Sequence, residues 1–290
     1  IGTPEFGAII LEELINYKPY SGRWPNGPFR PVLVVTETDK PVGRKHIITP
    51  PPVKVIAEKY HIPILQPGKI QDARDKVQGL KPDLIIVAAY GQIIPKEILE
   101  IPKYGCLNVH PSLLPKYRGP SPIQAAILNG DEATGVTIML LDDKMDHGPI
   151  LAQRESEFGG IMSKITYSEL HNDLAKLGAN LLIDIIPKWV SGEIKPIPQD
   201  EKMATYTKIL KKEEGKIDWT KSAKVIECQI RALSPRPGAY TQIKDGESKL
   251  KIIKIWKAQI KEQTAKGPFG VCGKTFMATN EQIAVQTGKD

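Results

Sequence analysis

The chain has 290 residues, of which 41% are hydrophobic and 25% charged, and its formal net charge is +7. That length is sufficient for two domains, each with its own hydrophobic core. The longest apolar run, at 84–90, is far shorter than the roughly 18 residues that a membrane helix needs, so composition predicts a soluble protein.

The first half of the chain alternates strand-like and helix-like segments. Strands are predicted at 31–36, 84–89, 106–110 and 135–141, and helices at 6–16, 53–60 and 121–129. This alternation predicts an α/β fold with a Rossmann-like parallel sheet. Because the chain begins at Ile1 with the turn Gly2-Thr3-Pro4, most of a first strand is expected to precede Ile1. A signal or transit peptide before that strand is compatible with the sequence.

The second half of the chain changes character. Thr166 and Glu169 have capping-box spacing, and leucines follow at helical intervals, so a long helix with a core face is predicted there. Residues 191–204 predict a linker. After a short helix at 222–233, strands are predicted at 239–243, 250–258, 270–272, 275–278 and 283–286. We therefore predict a first domain of residues 1–190 and a small OB-like β-barrel of residues 205–290.

The positive charge is concentrated in this second domain. Residues 203–290 contain 17 Lys plus Arg against 9 Asp plus Glu, whereas residues 1–202 contain 23 against 24. Four of the lysines lie in or directly before one predicted strand, at 250–258: Lys249, Lys251, Lys254 and Lys257. A solvated lysine face is the simpler interpretation, but a bias across a whole domain favours a polyanionic partner such as a nucleic acid.

The predicted strand at 106–110 ends in the most informative motif of the chain. Asn108 and His110 would project from the same face, about 6.6 Å apart along the strand. Asp146 follows later, and prolines stiffen the loop after His110. An amide that donates to an oxyanion, an imidazole and a carboxylate suffice for acyl transfer to an amine, without a metal or a covalent intermediate. Ordinary polarity at a strand end is the alternative interpretation.

Other chemistries find less support in the residues. Cys106 and His110 would lie about 13 Å apart on one strand, too far for the imidazole to activate the thiol directly, so Cys106 is interpreted as a small buried residue. The three cysteines and the remaining histidines lack metal-ligand spacing, which predicts no metal site and a reducing compartment. The segment 2–7 has neither a dinucleotide fingerprint nor a Walker lysine.

The motifs resemble the signature of the folate-dependent formyltransferases, which is Asn-x-His, Ser-Leu-Leu-Pro-x-x-x-Gly and a later Asp-x-Gly. Here the signature corresponds to Asn108 and His110, to 112–119, and to Asp146 with Gly148. Four further segments are similar to family members that formylate initiator methionyl-tRNA: 2–6, 39–44, 87–95 and 135–139. The similarity extends from Ile1 to about Tyr240.

The resemblance implies transfer of the formyl group of 10-formyltetrahydrofolate to the α-amine of methionine on initiator tRNA. It implies that Asn108 and His110 stabilise an oxyanion and that Asp146 orients His110 and helps to accept the amine proton. The implied folate-binding residues are Ser112, Leu113, Leu114 and Pro115, with the backbone at 92–94 near the pterin. The implied tRNA-binding residues are Arg44 and Lys45, together with the basic domain at 205–290.

The resemblance further implies a monomer in the bacterial cytoplasm, with an organellar matrix as the alternative. A formyltransferase acting on an amino-sugar nucleotide is the nearest alternative function, and a tRNA-binding protein with an inactive site is a more distant one. Two departures from the family pattern stand out. His147 lies inside Asp-x-Gly, where a small residue is more usual, and Arg236 occupies a position where relatives often have Trp.

Overall fold

A computed structural model of the chain describes residues 1–17, 31–43, 45–156, 162, 164–244, 249–261, 272–279 and 282–288. The α-helices in these ranges are α1 (Glu5–Asn16), α2 (Pro52–Lys59), α3 (Arg74–Leu80), α4 (Lys96–Leu99), α5 (Pro122–Leu128), α6 (Tyr167–Val190) and α7 (Ala223–Leu233). The strands in the first part of the chain are β1 (Val34–Val35), β2 (Lys40–Val42), β3 (Ile47–Thr49), β4 (Ile64–Leu65), β5 (Ile85–Val87), β6 (Cys106–His110), β7 (Gly135–Leu140) and β8 (Ile150–Glu155). Near the C-terminus follow β9 (Ala239–Lys244), β10 (Leu250–Ile255), β11 (Thr275–Thr279) and β12 (Gln282–Val285).

The described residues form two compact units that interleave along the chain. The first unit lies within 1–119, 134–157 and 171–207. The second lies within 120–133, 158–170 and 208–290. The domains predicted from sequence, with boundaries at 190 and 204, are instead continuous stretches of the chain. Those boundaries remain a prediction.

The strands of the first unit pair in both parallel and antiparallel directions, and β5, β6, β7 and β8 form a four-stranded sheet in that order. β5 pairs parallel with β6, and β1 pairs parallel with β4, which confirms an α/β fold with parallel pairing. β7 runs antiparallel to β6, and β8 antiparallel to β7, so the predicted parallel sheet continues into an antiparallel part. An alternation of apolar residues specifies which face of a strand is buried, but it does not specify the direction of the strand.

Both faces of the first strands are covered, as a Rossmann-like sheet requires. Because successive side chains of a strand point to opposite faces, Val34 and Val35 enter different clusters. Val34 packs with residues of α1 and α2, namely Ala8, Val53 and Ala57. Val35 packs with residues of the other face, which include Ile70, Val77, Ile85 and Ile98.

Helix α6 begins and packs as its sequence predicts. The Thr166 backbone N–H donates to Glu169 Oε2 at 2.9 Å, and the Glu169 N–H donates back to Thr166 Oγ1 at 3.4 Å, which confirms the capping box. A Cβ on Gly178 would lie 2.6 Å from Val109 Cγ1, so this glycine lets α6 approach β6 closely. Helix α6 therefore backs β6 at the residue between Asn108 and His110.

The second unit contains α7 and two short antiparallel hairpins. β9 pairs with β10 and β11 with β12, and a cluster of Ile217, Ile226, Ile230 and Ala239 joins α7 to β9. The predicted short helix is confirmed, and so are four of the predicted strands. Residues 270 and 271 of the remaining predicted strand lie outside the described ranges. The hairpins in the described part of this unit are separate two-stranded sheets and do not close a barrel.

Of the helices in the described ranges, none combines the length and apolarity that crossing a membrane requires.

Candidate active site

Strand β6 brings Asn108 and His110 to a common partner, Asp146. Asn108 Nδ2 donates to Asp146 Oδ1 at 3.4 Å, and His110 Nδ1 lies 3.7 Å from the same oxygen. Asn108 is 8% exposed and His110 4%, whereas the Asp146 side chain is 15% exposed, so water reaches the cluster mainly at the carboxylate. The structure thus brings together the amide, imidazole and carboxylate that the sequence analysis singled out.

The orientation of the His110 ring follows from its second contact. His110 Nε2 lies 2.9 Å from the carbonyl oxygen of Tyr117. Because a carbonyl only accepts hydrogen bonds, the proton is assigned to Nε2. Nδ1 is therefore the ring nitrogen that faces Asp146 and can exchange a proton.

The carboxylate of Asp146 is held by the end of the proline-bounded loop. The Gly119 backbone N–H donates to Asp146 Oδ2 at 2.7 Å. Gly119 has φ +101° and a Cβ there would lie 2.8 Å from Thr207 O, so both its conformation and its surroundings require glycine. Asp146 itself has φ +48°, a left-handed conformation that is uncommon for a residue with a side chain.

The second glycine of the signature, Gly148, is required by a close approach of two backbones. A Cβ on Gly148 would overlap the carbonyl oxygen of Leu140. The neighbouring Pro149 carbonyl accepts the Leu140 N–H at 3.0 Å, which holds the two segments together. The glycine of Asp-x-Gly thus lets the Asp146 turn lie against the end of β7.

We expect Gly148→Ala to lower the free energy of unfolding by about 1–3 kcal/mol, the range typical of overpacking. Calorimetric Tm would measure this change. Gly79→Ala in α3 is the matched control, because a Cβ on Gly79 would meet nothing within 4 Å. It should be neutral or stabilise by up to about 1 kcal/mol. Equal Tm values for Gly148→Ala and the parent would contradict the close approach.

The segment 112–115, predicted to bind folate, is a turn stabilised from β7 and β8. Thr137 Oγ1 donates to Ser112 O at 2.7 Å and accepts the Leu114 N–H at 3.0 Å. Gln153 Nε2 donates to Leu114 O at 2.7 Å. Thr137 is the cross-strand partner of His110, so the same strand pair positions the imidazole and the turn. The sequence analysis gave neither residue a role: Thr137 appeared there only as part of the similar segment 135–139, and Gln153 belongs to no motif.

The four residues of this turn differ in what they can offer a ligand. Ser112 and Leu114 are buried, and Ser112 Oγ donates to Lys116 O at 2.6 Å, so these two side chains shape the turn itself. Leu113 and Pro115 are half-buried. The Leu114–Pro115 peptide bond is cis. In this arrangement, Leu113 and Pro115 are the members of the turn with accessible apolar surface.

A buried arginine that the motif reading left unassigned lies beside this turn. Arg118 donates from Nη1 and Nη2 to both carboxylate oxygens of Glu201, at 3.1 and 2.7 Å. It also donates to Gln199 Oε1 and to the Tyr206 hydroxyl. The hydrogen bond from Arg118 lowers the pKa of Glu201, and Glu201 in turn raises the pKa of Arg118. Part of the predicted linker therefore binds to the site loop of the first unit.

His147 and Arg236, the two departures from the family pattern, have different surroundings. His147 Nδ1 contacts Asp142 Oδ2, and Nε2 lies 3.5 Å from Glu201 Oε1, so the ring bridges two carboxylates beside Asp146. Arg236 is exposed in the second unit.

Cys106 is buried in the core, as the sequence analysis interpreted it. Burial raises the pKa of its thiol to about 12, which leaves the sulfur protonated near neutral pH. Its Sγ contacts the carbonyls of Ile98 and Leu99, at 4.0 and 3.8 Å. Cys106 therefore lacks the thiolate character of a nucleophile.

The loop at 39–49, predicted to contact tRNA, forms the β2–β3 hairpin. Asp39 lies at its base and accepts hydrogen bonds from Gln66 and Lys54, which together lower the pKa of its carboxyl group. Ile47 and Ile48 are exposed by more than 60%, and Lys45 is exposed as well. Arg44 lies outside the described residues. The sequence analysis did not predict this hairpin, because its two short strands have no buried face and so show no apolar alternation.

Family comparisons assign both parts of the chain to known domains. A family model described as "Formyl transferase" matches residues 22–186. A second one, "Formyl transferase, C-terminal domain", matches residues 209–290. The chain belongs to the formyltransferase family.

Curated relatives narrow this class. The chain is 46% identical over 258 residues to the methionyl-tRNA formyltransferase of Bacillus cytotoxicus, covering 88% of this chain and 76% of the relative. It is 41% identical over 290 residues to the one of Citrifermentans bemidjiense, covering 99% and 84%. The relatives at 41–46% identity are thus methionyl-tRNA formyltransferases.

Solved structures share the fold at lower identity. An N-formyltransferase from Helicobacter canadensis, in complex with folinic acid and dTDP-3-aminofucose, superposes with a TM-score of 0.68 at 20% identity, covering 99% of this chain and 93% of that one. HypX from Aquifex aeolicus, in complex with tetrahydrofolic acid, superposes with a TM-score of 0.58 at 21% identity, covering 80% of this chain and 38% of that longer chain. These likenesses concern the fold alone.

Proposed function

We propose that this protein transfers the formyl group of 10-formyltetrahydrofolate to the α-amine of initiator methionyl-tRNA, giving N-formylmethionyl-tRNA for translation initiation. The observation that carries the proposal is the convergence of Asn108 Nδ2 and His110 Nδ1 on one carboxylate oxygen of Asp146. Identity of 41–46% to methionyl-tRNA formyltransferases supports this substrate over an amino-sugar nucleotide.

The reaction we propose passes through a tetrahedral intermediate. The α-amine attacks the formyl carbon, and the formyl oxygen becomes an oxyanion. Asn108 Nδ2 is available as a donor to that oxyanion, because its bond to Asp146 is long at 3.4 Å. The carbon–N10 bond then breaks, N10 of the folate takes up a proton, and the attacking amine loses one.

Asp146 and His110 would handle the proton that the amine sheds. Asp146 Oδ1 faces both Asn108 and His110, so a proton taken up by the carboxylate can pass to His110 Nδ1 directly or through a water. The backbone contacts of His110 Nε2 and Asp146 Oδ2 keep the two groups oriented during this transfer.

For the folate, we propose the turn of Ser112, Leu113, Leu114 and Pro115, together with the backbone at 92–94. The support is the position of the turn directly after His110, where the ends of β5 and β6 lie side by side. Ligands of open α/β sheets bind outside the carboxyl ends of their strands.

For the tRNA, we propose a basic domain of residues 205–290 with an OB-like barrel, joined through residues 191–204 to a catalytic domain of residues 1–190. Arg44 and Lys45 on the β2–β3 hairpin would add contacts near the acceptor end. The exposed lysines of β10 support a phosphate-binding role for the second domain. We further propose, from the family alone, a monomer in the bacterial cytoplasm.

We expect the double variant Lys254→Glu with Lys257→Glu to weaken tRNA binding by at least about tenfold at low salt, and to leave folate binding unchanged. Lost phosphate contacts should also flatten the plot of log K against log salt, by about 0.7–0.9 per contact. Filter binding across a salt series would measure both effects. Lys176→Glu with Asp173→Lys on α6, both exposed, serves as a surface control. Equal losses of tRNA and folate binding would indicate misfolding instead.

The test of the function itself is transfer of labelled formyl from 10-formyltetrahydrofolate to three acceptors. These are charged initiator methionyl-tRNA, an amino-sugar nucleotide and free methionine. We expect transfer to the tRNA alone. Transfer only to the sugar nucleotide would retain the catalytic cluster and overturn the proposed acceptor.

A further inference from the structure

Asp146 occupies a left-handed backbone conformation, with a φ of +48°, which is uncommon for any residue other than glycine. Strained residues persist only where surrounding contacts hold them. The contacts around the Asp146 turn therefore identify the residues that set its position.

The side-chain amide of Gln199 supplies two of these contacts. Gln199 Nε2 donates to Asp146 O at 2.9 Å and to Gly148 O at 2.8 Å. Its Oε1 accepts from Arg118 Nε at 3.0 Å and from Arg118 Nη2 at 2.9 Å. Both N–H groups of the Gln199 amide donate, and its oxygen accepts twice. If the amide were rotated by 180°, its N–H groups would face the N–H groups of the Arg118 guanidinium, and donors would oppose donors. The network thus allows one orientation.

Arg118, the partner of Gln199, is anchored in turn. Its side chain is 1% exposed and forms a two-point pair with Glu201. Its backbone N–H donates to Thr205 O at 2.8 Å. The next residue, Gly119, binds the Asp146 carboxylate. Arg118 and its neighbours therefore hold Asp146 at two points, at the carboxylate through Gly119 and at the main-chain carbonyl through Gln199.

We propose that Gln199 is a positioning residue for formyl transfer, which acts by holding the left-handed turn of Asp146 so that its carboxylate meets Asn108 and His110. This inference rests on the proposed function of Asp146. Gln199 touches no reacting atom, and its contribution is to the geometry of the 3.4 and 3.7 Å contacts that Asp146 Oδ1 makes.

The variant that tests this proposal is Gln199→Glu. It keeps the length of the side chain and an oxygen for Arg118, but it removes both N–H donors and directs an oxygen at two carbonyls. We expect kcat to fall about 10- to 100-fold, the scale of a misplacement of about 1 Å, with KM for the folate within about twofold. Tm should stay within a few degrees of the parent value. Gln78→Glu on the exposed face of α3 makes the same change of charge as a matched control.

The outcomes separate this inference from the proposed function. Asp146→Asn is assayed in parallel, and its full activity would overturn the proposed role of Asp146 itself. If Asp146→Asn loses most of its activity while Gln199→Glu keeps the parental kcat, only the positioning role of Gln199 is overturned. The positioning role of Gln199 would also be overturned if kcat of Gln199→Glu fell only in proportion to the fraction of folded protein, as measured by folate binding.

A neutral variant, Gln199→Met, decides the question if Gln199→Glu does not fold. It is of similar length and lacks both the donors and the added charge. The same drop in kcat at unchanged folate KM would support the proposal. Unfolding of both variants would make Gln199 a residue required for stability, and the proposal would be withdrawn.

Discussion

Asn108→Ala is expected to lower kcat for formyl transfer by about 10²–10³-fold, the loss typical of removing one oxyanion donor. Asn108 Nδ2 is the side-chain N–H that faces Asp146 Oδ1 within the buried cluster, at the long distance of 3.4 Å. Because the oxyanion exists only in the transition state and the intermediate, affinity for the folate should change little. Steady-state kinetics with methionyl-tRNA, combined with folate binding by titration, would separate the two quantities.

The matched control for this variant is Asn172→Ala on the exposed side of α6, which should retain parental kcat. Thermal unfolding of both variants checks that Asn108→Ala leaves the fold intact. Full turnover by Asn108→Ala would remove this amide from the mechanism. A parallel loss of Tm and folate binding would reassign Asn108 to the stability of the core.

Asp146→Asn is expected to lower kcat by about 10²–10⁴-fold, the range of general acid–base catalysis. The carboxylate accepts from Asn108 Nδ2 and from the Gly119 N–H, one through each oxygen. An asparagine presents one oxygen and one NH₂ group, so it can accept only one of these bonds and points a donor at the other. It also removes the negative charge beside His110 Nδ1, 3.7 Å away.

Single-turnover transfer of labelled formyl, with saturating folate and tRNA, would measure this effect on the chemical step. Asp173→Asn on α6 makes the same change at an exposed position and should leave the rate unaffected. An Asp146→Asn rate close to that of the parent would mean that the carboxylate neither accepts the proton nor orients His110.

Local patterns predicted those parts of the fold that depend on local physics. The capping box at Thr166 and Glu169 specifies where α6 begins, because the bonds that satisfy the helix N-terminus lie within four residues. The direction of β7 was not predictable, because its apolar pattern is the same in either direction.

The sequence by itself determined which residues are the candidates for the chemistry. Asn108 and His110 lie two residues apart on one strand, and the two-residue period of a strand places them on one face whatever the rest of the chain does. Asp146 was identified from the Asp-x-Gly motif of the family signature. Those predictions needed no knowledge of distant contacts.

Only the tertiary structure decided what holds this cluster in place. Gln199 is 53 residues from Asp146 and 81 from Arg118, and it lies in a stretch that reads as a linker. Thr137 meets the 112–115 turn only because β7 pairs with β6 in one particular register. Contacts between residues so far apart depend on the path of the backbone, and the packing of the whole unit sets that path. The spacing of residues within a short segment therefore cannot predict them.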